Sequence, residues 1–185
     1  MKSFFTLLLF SVTVLTHAQS KFNLDTSTVT WIGEKITSQS HTGTLKFKKA
    51  AINLEDLKNP YGVFEVDMTS LTNTDLTGKG KQQLEGHLKS ADFFDVNTYA
   101  TAYVSINKVL TKKGNLHEVS GDLTIKEITH PVNFSVTILK DKISGKLTFD
   151  RTKYNVKFAS GSFFENLGDN LINDTITLEI NLNKL

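Results

Sequence analysis

The sequence contains no cysteine, only two prolines and a single tryptophan, and each scarcity narrows what the chain can be. Without thiols there is no nucleophilic cysteine, no Cys-ligated metal and no disulfide staple, so the fold must rest on packing and ladder hydrogen bonds. Scarce proline suits long strands, because a proline inside a sheet removes a ladder donor. An excess of one charge is lacking too: 21 Lys and Arg stand against 19 Asp and Glu, a formal +2. Such a balance implies neither a nucleic-acid polyanion nor an acidic membrane surface as partner. Beyond the first residues no hydrophobic run is long enough to cross a bilayer.

The first residues are different. Lys2 precedes an apolar run from Phe4 to Phe10 and on to Leu15, which closes with Thr16-His17-Ala18. A basic start, a short apolar stretch and a small final residue make a secretory signal peptide, so residues 1–18 are expected to be cleaved off after Ala18. A retained N-terminal anchor, the alternative, needs a longer run. No cysteine stands near the expected cleavage site, so a lipid-modified lipoprotein terminus is excluded. Residues 19–185 are then expected to be one domain, periplasmic or secreted, soluble and without a membrane span.

What is abundant is alternation and phenylalanine. Thirteen Phe against four Tyr favour a large hydrocarbon interior. Period-two patterning predicts strands over Thr28–Ile36, His41–Asn53, Tyr61–Ser70, Ala100–Leu110, Leu116–Ile125, Val132–Leu139, Ile143–Asp150 and Leu171–Leu182. Val132, Phe134, Val136 and Ile138 share one face, with Asn133, Ser135 and Thr137 on the other. Ile143, Gly145, Leu147 and Phe149 repeat the pattern, as do Ile176, Leu178, Ile180 and Leu182. Each strand is apolar on one side only. Short turns at Lys112-Lys113-Gly114-Asn115 and Lys140-Asp141-Lys142 predict neighbour-to-neighbour connections. The expected fold is all-β, an eight-stranded antiparallel up-and-down β-barrel with one short helix. That helix is Lys81–Ser90, where Leu84 and Leu88 lie four apart, and it is expected to plug or cover the barrel. A long connection, Arg151–Asn170, carries Phe158, Phe163 and Phe164; apolar residues in so irregular a stretch either fold back as core or form a lid.

Catalytic motifs are missing: no G-x-S-x-G elbow, no H-E-x-x-H and no G-x-G-x-x-G after a strand. His41, His87, His117 and His130 fall on different elements with no short ligand spacing, so no metal site is predicted unless the fold gathers them. No catalytic residues are assigned, and the chain is not expected to be an enzyme.

The segment His87-Leu88-Lys89-Ser90-Ala91-Asp92-Phe93-Phe94-Asp95-Val96 resembles the central signature of the YceI-like polyisoprenoid-binding family. Asp25-Thr26-Ser27-Thr28-Val29-Thr30-Trp31 is similar to that family's opening strand, and His41-Thr42-Gly43-Thr44-Leu45-Lys46-Phe47 to its second. Val119–Ile125, Thr129-His130-Pro131-Val132 and Phe149-Asp150-Arg151 resemble its later strands. Two positions depart: Ala100 follows Tyr99 where the family often has Pro, and Glu127-Ile128 replaces a Gly-containing turn. The resemblance implies a lipocalin-like barrel in an exported bacterial protein that often dimerises. It also implies that the barrel holds a polyisoprenoid, an isoprenoid quinone or a prenyl phosphate, with no other cofactor.

An isoprene tail offers no hydrogen-bond partner along its length, so its host must be a dry tube. Candidate lining residues are Trp31, Leu45, Phe47, Phe64, Val66, Phe93, Phe134, Val136, Leu147 and Phe149, with Phe163 and Phe164 closing one end. Arg151 ends an apolar strand and is the head-group candidate, since guanidinium pairs well with phosphate; a structural ion pair is the competing role. Two other functions stay open at this stage. One is a partner-binding barrel with a filled core, because small barrels can fill with their own side chains. The other is an enzyme acting on a lipid head group, which requires converging polar residues inside the tube.

Overall fold

A computed structural model describes residues 22–185; the expected signal peptide, residues 1–18, lies outside the described residues. The strands are β1 (Phe22–Glu34), β2 (Ser40–Asn53), β3 (Tyr61–Asn73), β4 (Thr101–Lys113), β5 (Leu116–Ile125), β6 (Ile128–Ile138), β7 (Lys142–Asp150) and β8 (Thr175–Lys184), with one helix, α1 (Gly78–Lys89), between β3 and β4. Each strand pairs antiparallel with the next, and β1 closes onto β8 with Val29 opposite Ile180 and Trp31 opposite Leu178. The eight-stranded antiparallel up-and-down barrel expected from the alternation is the fold observed.

Differences in strand length have local causes. β1 starts six residues before the expected Thr28, at Phe22, because the register slips between Asn23 and Thr28 and breaks the alternation there. Ser27 holds the slip: its hydroxyl donates to the Asn23 carbonyl at 2.7 Å and accepts the Asn183 amide at 2.9 Å. β8 begins at Thr175, not Leu171, since Leu171 and Ile172 are drawn off to the β1–β2 hairpin, where the Ile36 amide donates to Leu171 O at 3.0 Å. Between β6 and β7 the ladder spans only Ser135–Ile138 against Ile143–Lys146. Above it the strands part, and a 3-10 turn at Arg151–Tyr154 wedges into the seam. There Tyr154 meets Phe149 and His130 edge-on at 5.5 and 5.3 Å, and burial pushes its phenol up to about 12.

The two ends of the barrel differ. The lower end, with the short β4–β5 and β6–β7 turns, is solid: Ile52, Leu54, Ile106, Val119, Ile143 and Leu182 are all buried. Gly121 permits this tight packing, since a Cβ there would sit 1.7 Å from Ser105 O of β4. The upper end carries the β1–β2 hairpin, α1, the β5–β6 turn and the long β7–β8 connection. Side chains of α1 cover this end without entering the core; none is fully buried.

The β5–β6 turn bears a mark of strain. Ile125 pairs with Ile128, so Lys126 and Glu127 are the two central residues, and both have positive φ, 51° and 61°. This is the geometry in which Asn-Gly is favoured, and a residue with a Cβ sits there at a cost. Lys126 is compensated by its ammonium, which donates to Phe93 O at 3.0 Å and Asn155 O at 3.4 Å. Among the described residues no side-chain hydrogen bond or ion pair compensates the exposed Glu127. Glu127→Gly is therefore expected to raise stability by about 1 kcal/mol, read as a higher urea midpoint at unchanged slope, with Lys126→Gly giving a smaller gain or a loss.

Candidate functional site

The upper half of the barrel encloses a cavity of about 780 Å³, inside the ~300–1,000 Å³ span of ligand pockets. Its walls are hydrocarbon. Val29, Trp31, Leu45, Phe47, Phe64, Val66, Leu147 and Phe149 line it from the inward positions of successive strands, and Met68, Leu71, Ala102, Val104, Leu123 and Ile125 continue the wall. Ile176, Leu178 and Ile180 complete the ring from β8. Leu84, His87 and Leu88 of α1, then Phe93 and Phe94, form one side of the roof. Phe158, Phe164, Leu167 and Ile172 from the β7–β8 connection form the other.

Trp31 sits where Gly43 allows it. The two are cross-strand partners, and a Cβ on Gly43 would lie 2.6 Å from the indole and 1.8 Å from Thr72 O. That same carbonyl accepts the indole N–H at 3.2 Å, so the one polar atom of the ring is satisfied and its face is left to the cavity. In the roof, His87 packs edge-on between Phe93 and Phe158, at 4.9 and 4.5 Å. The long connection thus folds back over the barrel instead of standing clear of it.

Of the sequence-predicted lining residues, Trp31, Leu45, Phe47, Phe64, Val66, Phe93, Leu147, Phe149 and Phe164 reach the cavity. Phe134 and Val136 do not: they are buried lower on β6, opposite Val119 and His117 of β5, in the solid half. Inward orientation was legible in their alternation, but height along the barrel was not. Phe163 is also off the wall; its ring is half-exposed, with the Lys157 ammonium 4.7 Å above it. The roof residues Phe94 and Leu167 lie in stretches without periodicity, and Ile172 falls in the expected strand Leu171–Leu182 but is drawn off to bridge Lys35, whereas Ile176, Leu178 and Ile180 carry a clear alternation signal.

Arg151 also requires correction. Its side chain borders the cavity but is 1% exposed, and all five of its N–H donors are taken. Nε donates to Asn173 O at 3.1 Å, and Nη1 to Val156 O and Phe158 O at 2.9 Å each. Nη2 donates to Ile172 O at 3.0 Å and to the Asp174 carboxylate at 3.3 Å. No donor is left for a head group, so of the two roles considered the structural one holds. Burial lowers its pKa and Asp174 and Asp150 oppose that shift, while guanidinium stays protonated at any ordinary pH. Its partners are the carbonyls of the irregular connection, and Arg151 is what gives that connection a shape.

Polar groups gather at the rim. Glu34, Lys35, Gln39 and His41 of the β1–β2 hairpin border the cavity mouth. His41 Nδ1 lies 2.7 Å from Asp75 Oδ2, and Asp75 Oδ1 accepts from the Thr42 amide at 2.8 Å and from Asn73 Nδ2 at 2.6 Å. Burial alone would raise the Asp75 pKa; these hydrogen bonds outweigh it and hold the group below its ordinary 3.8. Next to it, Glu85 of α1 accepts from the Thr72 hydroxyl at 2.6 Å and the Asn73 amide at 2.8 Å, which latches the helix onto β3 and lowers its pKa from 4.5.

Two predictions follow from these networks. Arg151→Met leaves four carbonyls and Asp174 without their cation and is expected to cost about 3–5 kcal/mol in urea unfolding, with Arg151→Lys failing to restore it because an ammonium lacks the planar fork. Glu85 and Asp75 have folded pKa values depressed below 4.5 and 3.8, so their stabilisation is complete above those values and is lost as pH falls through the lower folded ones. The melting temperature is expected to drop once pH passes below about 4.5 and to drop less steeply in Glu85→Gln, which starts from a lower value at pH 7.

The sequence matches the YceI-like domain family over residues 16–184. No curated protein matches it. Among solved structures it is similar to BcnA of Burkholderia cenocepacia, at 21% identity and a TM-score of 0.67, over 88% of this chain and 98% of that one. A polyisoprenoid binding domain from Saccharophagus degradans, implicated in plant cell wall breakdown, matches at 16% identity and a TM-score of 0.59, over 90% of this chain and 97% of that one. The YCEI protein of Campylobacter jejuni matches at 16% identity and 0.52, over 100% and 99% of the respective chains. Identities this low speak for the fold alone, but the family match spans nearly the whole chain, and the protein belongs to the YceI-like domain family.

Proposed function

We propose that this protein is a lipid-binding protein that holds one long apolar chain of isoprenoid type in the hollow half of the barrel, and that it does so after export to the periplasm. The observation that carries the reading is the 780 Å³ cavity with hydrocarbon walls, roofed by α1 and the β7–β8 connection. A void of this size and polarity is costly to leave to water and suits a hydrocarbon guest, each buried CH₂ contributing ~0.8 kcal/mol. Support also comes from the family and from the structural similarity to a polyisoprenoid binding domain. The closed end explains orientation: a tail enters to the depth of Phe47 and Leu147, and its polar head stays at the rim beside the β1–β2 hairpin. Binding without chemistry suits the wall, whose charged groups gather at the mouth instead of converging around the middle of the guest.

Native mass spectrometry with lipid extraction on gently purified protein is expected to find one long-chain isoprenoid lipid per chain. Ala102 is a small wall residue, so Ala102→Phe fills part of the cavity and is expected to lower affinity for an added isoprenoid quinone at least tenfold while the protein stays folded. A wild-type protein that carries no lipid and ignores both quinones and prenyl phosphates would overturn the reading.

A further inference from the structure

We propose that the cavity mouth contains a hydroxyl-recognition site in which His41 Nε2 accepts a hydrogen bond from an uncharged phenol or alcohol head at the end of the apolar chain. The inference rests on the lipid-holding reading and names the chemistry at the polar end of the guest.

Placement comes first. On β2 the inward residues are Gly43, Leu45 and Phe47, and His41 continues that parity to the rim, where it borders the cavity. Its cross-strand partner is Gly33, which presents no side chain; even an added Cβ there would meet nothing nearer than Ile176 at 3.5 Å. The imidazole therefore borders the cavity opposite a residue without a side chain and stays partly exposed.

Orientation comes next. Asp75 grips Nδ1, and Asp75 is itself fixed by the Thr42 amide and by Asn73, whose Nδ2 also donates to Thr42 O at 3.0 Å. Asn73 is fully buried and its amide is tied to Glu85 of α1. A surface histidine has no need of such backing, whereas one that must aim a ring nitrogen does. The carboxylate is ionised at neutral pH and can only accept, so the proton sits on Nδ1. In the neutral imidazole Nε2 is then an acceptor, and what it takes from a ligand is an O–H.

Charge argues against an anionic head. Arg151 has no free donor, the mouth is bordered by one residue of each sign, Glu34 and Lys35, and Asp75 stands behind His41. A phosphate would meet an acceptor nitrogen backed by a carboxylate, while a hydroxyl finds its complement.

Trp31 is the sole tryptophan and lines the cavity, so its fluorescence reports occupancy without a label. The test titrates wild type, His41→Ala, His41→Gln and Asp75→Asn with geranylgeraniol, its methyl ether and geranylgeranyl phosphate, with melting curves for each variant. Wild type is expected to bind the alcohol about tenfold tighter than the ether, which cannot donate, and no weaker than the phosphate. His41→Ala is expected to abolish that preference, Asp75→Asn to reduce it, and His41→Gln, whose amide oxygen accepts, to keep part of it. Equal affinity of wild type for alcohol and ether, a clear preference for the phosphate, or an undiminished alcohol preference in His41→Ala overturns the hydroxyl site and leaves the carrier reading standing. Failure of all three probes to bind overturns both. The wild-type comparison decides the matter even if a variant does not fold.

Discussion

Pairing β1 with β8 turns a meander into a ring, and every later property of the molecule follows from that closure. A chain without disulfides has no covalent means to hold a large void open, yet a closed ladder of backbone hydrogen bonds does so, because the wall cannot collapse without breaking several of them together. Eight strands enclose an interior that side chains can just fill. In the lower half they do, with Phe134, Val136, Ile143 and Leu182 all buried in the one core cluster. In the upper half the same inward pattern leaves a cavity, with Gly33 presenting no side chain to it and the roof carried by elements outside the ring.

The roof depends on a buried charge whose donors are all spent on the protein itself. Arg151 is buried with five hydrogen bonds, four of them to carbonyls of a connection that has no ladder of its own. Irregular backbone cannot be buried with its carbonyls unsatisfied. One guanidinium satisfies four at once and, by fixing the Phe158 carbonyl, sets the side chain that packs on His87. A single buried cation thus does for this loop what a hydrophobic core does for the strands.

The opposite side of the roof is held by carboxylates. Glu85 latches α1 to β3, and the amide and side chain of Asn73 join that latch to Asp75 and His41 at the mouth. Helix α1 and the rim imidazole are therefore joined in one hydrogen-bond chain through one buried asparagine. The network lies at the cavity mouth, as the Ser27–Asn183 network lies at the solid lower end.

While the barrel itself was read from the short turns and the family resemblance, alternation determined the all-β class, the number of strands and, away from the register shifts in three ladders, which side chains point inward. It could not determine height. Phe47 and Phe134 read alike in sequence, yet one lines the cavity and the other fills the base, since depth depends on strand stagger and on what the facing strands present. Nor could it assign Arg151, whose five partners are backbone carbonyls and one carboxylate that become neighbours only when the connection folds back. The pairing of His41 with Asp75, 34 residues apart, was equally out of reach. Inward or outward is a local property of a strand, legible one residue at a time; whether an inward side chain meets another side chain, a carbonyl or empty space is a sum over all eight strands, and only the closed barrel decides it.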